Sequence, residues 1–403
     1  MNDTIFRTAD ILLPKNAEFE KWSVIACDQF TSDPAYWQRV EGFVCDRPST
    51  LRLIVPEAYL DGIDMQTASA ERSEKMRDYL DGGVFELLAD SYVYVERETS
   101  SGVRRGLVGM LDLDAYDFSG KKALPIRSTE ATVVSRLPAR IAVRKIASLE
   151  LPHVMTLIND PAKRVIEPLA EKKAELCKLY DFDLMEGGGH ICGWRVTGTD
   201  AETVQKALSA STASDVKIVV GDGNHSLAAA KSLWECVKET LPDAEKENHP
   251  ARFALVELNN VFDEAIAIEP IHRAVFGVDP EKLTKALSAL ASDTGYAVTC
   301  VSCGRETAFA VPAESYGALI EKVQNVIDGY LAENGGSVDY IHDEPSVRAL
   351  SDASDALAVI LPALPKADIF KTVELGRTFP RKSFSIGQAR DKRYYLECRR
   401  ITK

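Results

Sequence analysis

The stretch IVVGDGNHSLAAAKSLWE, residues 218 to 235, constrains the fold more than any other part of the chain. It opens with three β-branched residues, a run typical of a buried strand, and two glycines then interrupt the run. Apolar residues follow at helical spacing, at Leu227, Ala230, Trp234 and Val237. The pattern predicts a strand, a tight turn and a helix.

The polar residues at this turn suit an anion. A strand-to-helix turn points amide N–H groups and the positive end of a helix dipole at one spot, where a phosphate is stabilised. Gly221 and Gly223 permit positive φ and close approach of the backbone to a ligand. Asp222 could hold Mg²⁺ or orient His225, which could donate to a phosphate oxygen or move a proton. Asn224 could simply cap the helix, and a tight turn with an ordinary cap is the alternative.

Length and composition indicate a protein of several domains. With 403 residues, 45% hydrophobic and 27% charged, the chain has the composition of a globular protein too long for one core. No apolar run approaches the roughly 20 residues of a membrane span, and the N-terminus does not resemble a signal peptide. The eight scattered cysteines do not suggest a disulfide scaffold. We therefore expect a cytoplasmic protein with no membrane partner. Cys300 and Cys303 form a C-x-x-C pair without further metal ligands at matching spacing, and we interpret them as small strand residues.

The charge is unevenly distributed along the chain. The formal net charge of −13 argues against general affinity for nucleic acid. Residues 376–403 nevertheless contain nine Lys or Arg against two acidic residues, a net charge of +7, so the remainder carries −20. A basic segment over an acidic body would focus field on an anionic ligand, whereas a solvated basic tail is the competing interpretation.

The pattern along the chain predicts an α+β fold with mixed sheets and flanking helices. Residues 91–98 and 104–113 indicate an antiparallel hairpin, and helices are expected at 138–149 and 167–183. We expect three domains: an N-terminal α/β domain at 1–120, a phosphate-site domain at 121–275, and a C-terminal α+β domain at 276–403 whose basic end returns to the site.

Five segments carry a family resemblance. DGNHSLAAA resembles the D-G-H-H-R-x-x-A-A signature of the domain-of-unknown-function 1015 family, which is similar to the ParB/sulfiredoxin superfamily. SVIACDQF resembles the P-Y-D-V element and places Asp28, and RSTEATVVSRLPAR resembles H-E-x-T followed by D-R. IEPIHRAV is similar to P-T-H-R, and FPRKSFSIG to the closing M-P-x-K-S-T segment. The resemblance runs from residue 23 to 387 and implies a ParB/sulfiredoxin-like core around the strand, turn and helix at 216–240.

The matched residues are the candidate site. The resemblance and the local chemistry together indicate Asp28, Glu130 and His225 as catalytic residues and Asp222 as the metal ligand. The residues expected to bind the phosphate or nucleotide are Gly221, Gly223, Asn224, Ser226, Arg127, Arg140, His272, Arg273, Arg381 and Lys382. Each has a structural alternative: Glu130 could lie in a solvated helix-capping run, and His272 with Arg273 could make a structural salt link.

The sequence departs from the family signature at several positions. Asn224 and Ser226 stand where the signature has His and Arg, Thr129 stands for the His of H-E-x-T, and Ala139 stands for the Asp of D-R. A phosphate contact made by the signature Arg must therefore come from elsewhere. Arg127, Arg140, Arg381 and Lys382 are candidates, since guanidinium groups recognise phosphate well.

The resemblance implies a phosphate-handling protein. The superfamily includes kinases of free serine that use ADP or ATP, nucleotide-binding partition proteins and sulfiredoxin. We expect nucleotide-dependent phosphoryl transfer to or from a small hydroxylated metabolite, with serine or phosphoserine as first candidate and Mg²⁺ as cofactor. A nucleotide-binding regulatory module and a phosphatase or other hydrolase of a phosphorylated metabolite are the alternatives.

Overall fold

The computed structural model describes residues 4–25, 30, 33–56, 58, 64–120, 123–211, 214–380 and 382–402. These residues form two compact units. Unit 1 comprises Met1–Ser128, Thr132–Ile266 and Gly387–Lys403, and unit 2 comprises Thr129–Ala131 and Ala267–Ile386. The three domains expected from the sequence stay a prediction.

Most strands of unit 1 belong to one mixed sheet. The strands are β1 (Phe6–Arg7), β2 (Ala9–Pro14), β3 (Phe85–Thr99), β4 (Gly102–Asp112), β5 (Tyr116–Asp117), β6 (Ile126–Ser128), β7 (Leu149–Glu150), β8 (Met155–Ile158), β9 (Cys177–Asp183), β10 (His190–Val196), β11 (Ile218–Asp222) and β12 (Phe253–Asn260). The main sheet has the order β5-β6-β11-β8-β12-β4-β3-β10-β9, with β1 paired to β4 and β2 to β3. The predicted hairpin is confirmed as the antiparallel pair β3 and β4.

The helices of unit 1 flank this sheet. They are α1 (Phe19–Trp22), α2 (Pro34–Val44), α3 (Met65–Asp81), α4 (Leu137–Ile146), α5 (Pro168–Lys172), α6 (Gly198–Ala210), α7 (Asn224–Thr240) and α8 (Asp243–Lys246). Helix α4 ends before the predicted Leu149, because Ala147 is extended and Leu149 enters β7. None of the helices in the described parts of the chain is long and apolar enough to cross a bilayer.

The predicted strand, turn and helix at 218–240 are confirmed. Strand β11 runs parallel to β6 and antiparallel to β8, and its first three residues are fully buried. The apolar face of α7 packs on that strand through Leu227, Ala230 and Trp234, within a core that also includes Ile218 and Val220. The local pattern was sufficient here because both elements bury the residues that set their periodicity.

The helix predicted at 167–183 is wrong over most of its length. Only α5 is helical, and residues 177–183 form the edge strand β9. Tyr180 and Phe182 are buried whereas Asp181 and Asp183 are exposed, which is the alternation of a half-buried strand. Pairing with β10 satisfies the backbone of the segment, so tertiary contacts overrode the helical composition of the preceding residues.

Unit 2 is also α+β. Its elements are β13 (Ile268–Pro270), β14 (His272–Phe276), α9 (Pro280–Ser288), β15 (Tyr296–Ser302), β16 (Arg305–Val311), α10 (Tyr316–Asn334), β17 (Ser337–Ile341), α11 (Glu344–Leu350), β18 (Ala356–Ile360), α12 (Lys366–Glu374) and β19 (Phe384–Ile386). Five strands form a sheet in the order β16-β15-β18-β14-β17, and β13 pairs with β19. Cys300 is buried in β15, and Cys303 lies exposed in the turn that follows.

The chain then returns to unit 1. Strand β20 (Arg399–Arg400) pairs antiparallel with β7, and Leu396, Cys398 and Ile401 join the unit 1 core. Together with the helices and mixed sheets of both units, this arrangement confirms the predicted α+β class.

Candidate functional site

The turn between β11 and α7 depends on Gly223. Its φ of +82° lies in the left-handed region, and a Cβ there would lie 3.0 Å from Cγ2 and 3.1 Å from Cα of Val154. Gly221 lies at the point where the pairing of β11 with β8 shifts register. The two glycines therefore let β11 turn sharply into α7, and α7 begins directly at Asn224.

Asp222, the predicted metal ligand, has two contacts at this turn. Its Oδ1 accepts a hydrogen bond from the Gly223 amide at 2.9 Å, and its Oδ2 lies 3.3 Å from Nζ of Lys392. The Lys392 side chain is only 12% exposed, so this ion pair is partly shielded from water. Lys392 comes from the basic C-terminal segment, so that part of the segment lies at the turn. The approach of Arg381 and Lys382 to the turn stays a prediction.

Ser226 is hydrogen-bonded to His153, which precedes β8. Ser226 Oγ lies 3.1 Å from Nε2 of His153, and the His153 ring packs edge-on against Tyr395 at 5.2 Å. Burial lowers the pKa of His153, and the positive charges of Arg140 and Arg393 lower it further against the opposing effect of Asp222. Burial therefore favours the neutral imidazole, whose Nε2 can accept the hydrogen bond of the Ser226 hydroxyl.

His225 joins α7 to the segment before α4. Its Nε2 accepts a hydrogen bond from the Val133 amide at 3.2 Å. On the same two segments, Asn224 Oδ1 and Thr132 Oγ1 are buried without a hydrogen-bond partner among the described residues. Buried polar atoms are nearly always hydrogen-bonded, so these two atoms are exceptions to the usual pattern.

A cavity of about 260 Å³ opens beside the first turns of α7. Much of its wall is apolar, with Leu53, Met65, Met76, Val143 and Leu255 among the residues that line it. The polar and aromatic residues in the wall are Arg140, Arg144, Glu150, His153, Ser226 and Tyr395. Glu150 is bonded to Arg144 and Arg399 at 2.6 Å each, so its charge is balanced within the protein.

Arg127 lies on the strand next to the turn. Residue 127 pairs with Val219 in the parallel register of β6 and β11, and its Nε donates to the Leu124 carbonyl at 2.9 Å. Because parallel strands end at the same edge of a sheet, the ends of β6 and β11 lie together. Of the predicted residues in unit 1, Arg140 and Ser226 line the cavity. The side chain of Arg127 bonds the segment before β6, and its role in ligand binding stays a prediction.

The remaining predicted residues that the structure describes lie in unit 2. Glu130 forms a parallel bridge with Phe379, whose amide donates to the Thr129 carbonyl at 2.7 Å, so two of the matched segments meet there. Lys382 follows in that segment and is exposed, with φ of +56°. Asp28 and Arg381 lie outside the described residues.

His272 and Arg273 are buried at the start of β14. His272 Nδ1 accepts a hydrogen bond from the Leu361 amide at 3.1 Å. Arg273 is fully buried, donates to Gln324 at 3.1 Å and to the Ile271 carbonyl, and stacks on the ring of Tyr340. Burial lowers the pKa of Arg273 to about 10. These contacts are those of a side chain that ties β14 to α10, and phosphate binding by Arg273 stays a prediction.

Sequence reasoning missed His153, Lys392 and Tyr395. His153 and Tyr395 lie in segments without helical or strand periodicity, so only tertiary contacts reveal their role. The excess of positive charge at 376–403 indicated that a basic residue of this segment could matter, but a charge count could not single out Lys392 among the nine.

The chain was compared with curated proteins, solved structures and family models. No curated protein is similar to the chain in sequence. A free serine kinase variant in complex with AMP matches 72% of this chain and 91% of its own, at 12% identity and a TM-score of 0.40. SbnI with C-terminal truncation from Staphylococcus aureus matches 69% of this chain and 82% of its own, at 14% identity and a TM-score of 0.37. A conserved hypothetical protein from Pyrococcus furiosus matches 71% of this chain and 90% of its own, at 14% identity and a TM-score of 0.34.

The family model described as "Protein of unknown function (DUF1015)" matches residues 9–352, which are most of the chain. The resemblance inferred from the five motifs is confirmed, and the chain belongs to the DUF1015 family.

Proposed function

We propose that the cavity beside α7 binds a phosphorylated ligand and that the protein transfers a phosphoryl group between ATP or ADP and a small hydroxylated metabolite. Serine or phosphoserine is the first candidate for that metabolite. The observation that carries the proposal is the convergence of Arg140, His153 and Ser226 on one cavity at the first turns of a helix. The motif resemblance supports it, since it implies a ParB/sulfiredoxin-like phosphate loop at the same residues.

Each group has a physical task in this proposal. The first turn of α7 offers amide N–H groups and a positive dipole end to the phosphate. Arg140 neutralises phosphate charge from α4, and the apolar wall excludes water around the reacting groups. His153 is the proton acceptor that unit 1 supplies at this cavity. The general-base role that the resemblance implies for Asp28 and Glu130 stays a prediction.

Asp222 is the residue that would hold Mg²⁺. Mg²⁺ is usually bound through one or two carboxylates plus substrate phosphates, and Asp222 offers one carboxylate next to the phosphate turn. Its Oδ2 faces the Lys392 ammonium, so the metal would compete with that ion pair. When bound, Mg²⁺ would neutralise charge on the transferring phosphate.

Nucleotide binding is the direct test of the proposal. ATP, ADP and AMP, with and without Mg²⁺, are titrated into the protein by calorimetry, and melting temperatures are measured alongside. A nucleotide at 100 times its dissociation constant should raise the free energy of unfolding by roughly 2.7 kcal/mol. Arg140→Ala should weaken binding by about ten- to a hundredfold, because a charge-assisted hydrogen bond contributes about 1.5–3 kcal/mol.

Arg136→Ala is the matched control, since Arg136 is an exposed cation one helical turn before Arg140. Its nucleotide affinity should equal that of the unmodified protein. Absence of binding by every nucleotide would reject the proposal.

The hydrogen bond between Ser226 and His153 favours a hydrolase as the second candidate. In that case His153 Nε2 accepts the hydroxyl proton while Ser226 Oγ attacks phosphorus and displaces an alkoxide, which takes the proton back. Water then cleaves the phosphoserine enzyme. Phosphate release from phosphoserine without nucleotide tests this route: Ser226→Ala should abolish it, whereas Ser232→Ala, farther along α7, should not.

A further inference from the structure

The outer face of the β9–β10 hairpin carries a cluster of metal-ligating side chains. Asp181 and Asp183 project from β9, and His190 and Cys192 occupy the facing positions on β10. The register pairs His190 with Asp183 and Cys192 with Asp181 directly. Residues two apart on a strand share a face, so all four side chains lie on the side of the sheet opposite the buried Tyr180 and Phe182.

The side-chain geometry already brings ligand atoms together. His190 Nε2 lies 2.7 Å from Asp181 Oδ1, and one ligand atom each from Asp181, His190 and Cys192 lie within 4.8 Å of one another. Ligands at the 2.0–2.3 Å distances of zinc are about 3–4 Å apart in a tetrahedral site. Small side-chain rotations would therefore place a metal ion between the three atoms.

A fourth residue orients the histidine. Asp183 Oδ1 lies 2.6 Å from His190 Nδ1, on the side of the ring away from Asp181. A carboxylate that accepts the second ring N–H of a histidine is the usual outer partner of a metal-bound imidazole, because it fixes the tautomer and leaves Nε2 for the metal. Glu96 on β3 also pairs with Cys192 in the register, but its carboxylate is bonded to Lys173 at 2.7 Å, so it adds little net charge to the cluster.

We propose that Asp181, His190 and Cys192 form a Zn²⁺ site, with Asp183 as the orienting partner and solvent as the fourth ligand. One thiolate, one imidazole and one carboxylate make a mixed donor set that suits Zn²⁺ better than Mg²⁺ or Ca²⁺, which prefer oxygen ligands alone. The site joins the edge strand β9 to β10, so a bound ion would stabilise the pairing of these two strands. It is independent of the function proposed for the cavity.

Three features of the cluster oppose metal binding and must be overcome. The hydrogen bonds with Asp183 and Asp181 raise the pKa of His190, so the protonated imidazole must lose a proton before it can bind a metal. Burial and the hydrogen bond with Asp181 raise the pKa of the Cys192 thiol to about 11, so the metal must displace a proton. Lys178 also pairs with Asp181 and would repel the ion. Metal binding therefore releases a proton, and removal of the lysine charge should tighten it.

The test is titration of chelator-treated full-length protein with Zn²⁺ alone. We expect one Zn²⁺ per chain by calorimetry. Co²⁺ in its place should give the near-ultraviolet charge-transfer absorption of a thiolate ligand. Cys192→Ser and His190→Gln should each weaken Zn²⁺ binding by at least about tenfold, and Asp183→Asn by about ten- to a hundredfold.

Cys177→Ser is the matched control, because Cys177 is an exposed cysteine on the same hairpin outside the cluster. It should bind Zn²⁺ as the unmodified protein does, and Lys178→Met should bind it more tightly. All variants alter exposed or half-buried side chains, and circular dichroism checks their folding. The proposal is overturned if Zn²⁺ shows no saturable binding, or if Cys192→Ser binds Zn²⁺ with the affinity of the unmodified protein. The cluster would then be a surface ion-pair network only.

Discussion

Nζ of Lys392 lies 3.3 Å from Oδ2 of Asp222, at the turn between β11 and α7. The pair joins the basic C-terminal segment to the residue predicted to hold a metal. It also means that Asp222 has a cation beside it in the protein itself, so two roles for the carboxylate can be separated by experiment.

Substitution of Asp222 by Asn should act differently with and without Mg²⁺. If Asp222 holds the metal, the variant should lose about tenfold or more in nucleotide affinity when Mg²⁺ is present, which corresponds to about 1.4 kcal/mol. Under chelation the loss should be small. Calorimetry in both conditions measures this difference, and equal losses would assign Asp222 to the Lys392 pair alone.

Gly223→Ala should destabilise unit 1 more than Gly198→Ala does. Both glycines have positive φ, and a Cβ in that region costs about 1–2 kcal/mol. At Gly198 nothing lies within 4 Å of the added Cβ, whereas at Gly223 it would crowd Val154. Urea unfolding of the two variants compares the strain with and without the steric contact. Equal losses would show that Val154 yields without cost.

His225→Ala should lower the free energy of unfolding by about 1 kcal/mol. The substitution removes the acceptor of the half-buried Val133 amide, and the net value of such a hydrogen bond is about that size. Unchanged urea unfolding would show that another group or water satisfies the Val133 amide in the variant.

Stability should fall in acid because of carboxylates buried beside arginines. Burial by itself raises the pKa of Glu257, but the guanidinium groups of Arg104 and Arg393 lower it below the ordinary value. A depressed carboxyl pKa stabilises the fold above the unfolded value of about 4.3, and the contribution is lost as pH falls through the folded value. Urea midpoints measured from neutral pH downward should therefore decrease below about pH 4.

Arg393→Met should show the same interaction at neutral pH. Arg393 NH1 lies 2.8 Å from Glu257 Oε2, and its other terminal nitrogen bonds Glu397. Breaking a buried ion pair from one side costs about 3–5 kcal/mol. The variant should lose stability by that amount in urea unfolding at pH 7. A loss below 1 kcal/mol would mean that the two glutamates find other partners.

Local pattern was enough to predict the centre of unit 1. Three buried β-branched residues, two glycines and four apolar residues at helical spacing predicted β11 and α7 because burial on both elements reinforces the same periodicity. The hairpin of β3 and β4 was predicted for the same reason. These elements also position Ser226, so the place of the candidate site was within reach of sequence reasoning.

The sequence-based predictions were wrong or incomplete where tertiary contacts decide the structure. Helix-favouring residues at 167–176 suggested that the helix continues through 177–183. Those residues form a strand because they pair with β10. The basic tail was interpreted through an external anion, whereas Arg393 and Arg399 are buried against Glu257, Glu397 and Glu150. Charge counts cannot reveal that two of these partners, Glu257 and Glu150, are carboxylates more than a hundred residues earlier in the chain.

Because residues 387–403 belong to unit 1, this unit can be completed only after unit 2 has been synthesised. Unit 2 follows Ile266 in the chain and precedes the segment that carries Arg393 and Arg399. While the ribosome is still making unit 2, Glu150 and Glu257 have no arginine from that segment, so burying them is costly. The earlier-made unit is thus the later one to be completed, because nascent chains lack the β7–β20 pair until Arg399 and Arg400 emerge.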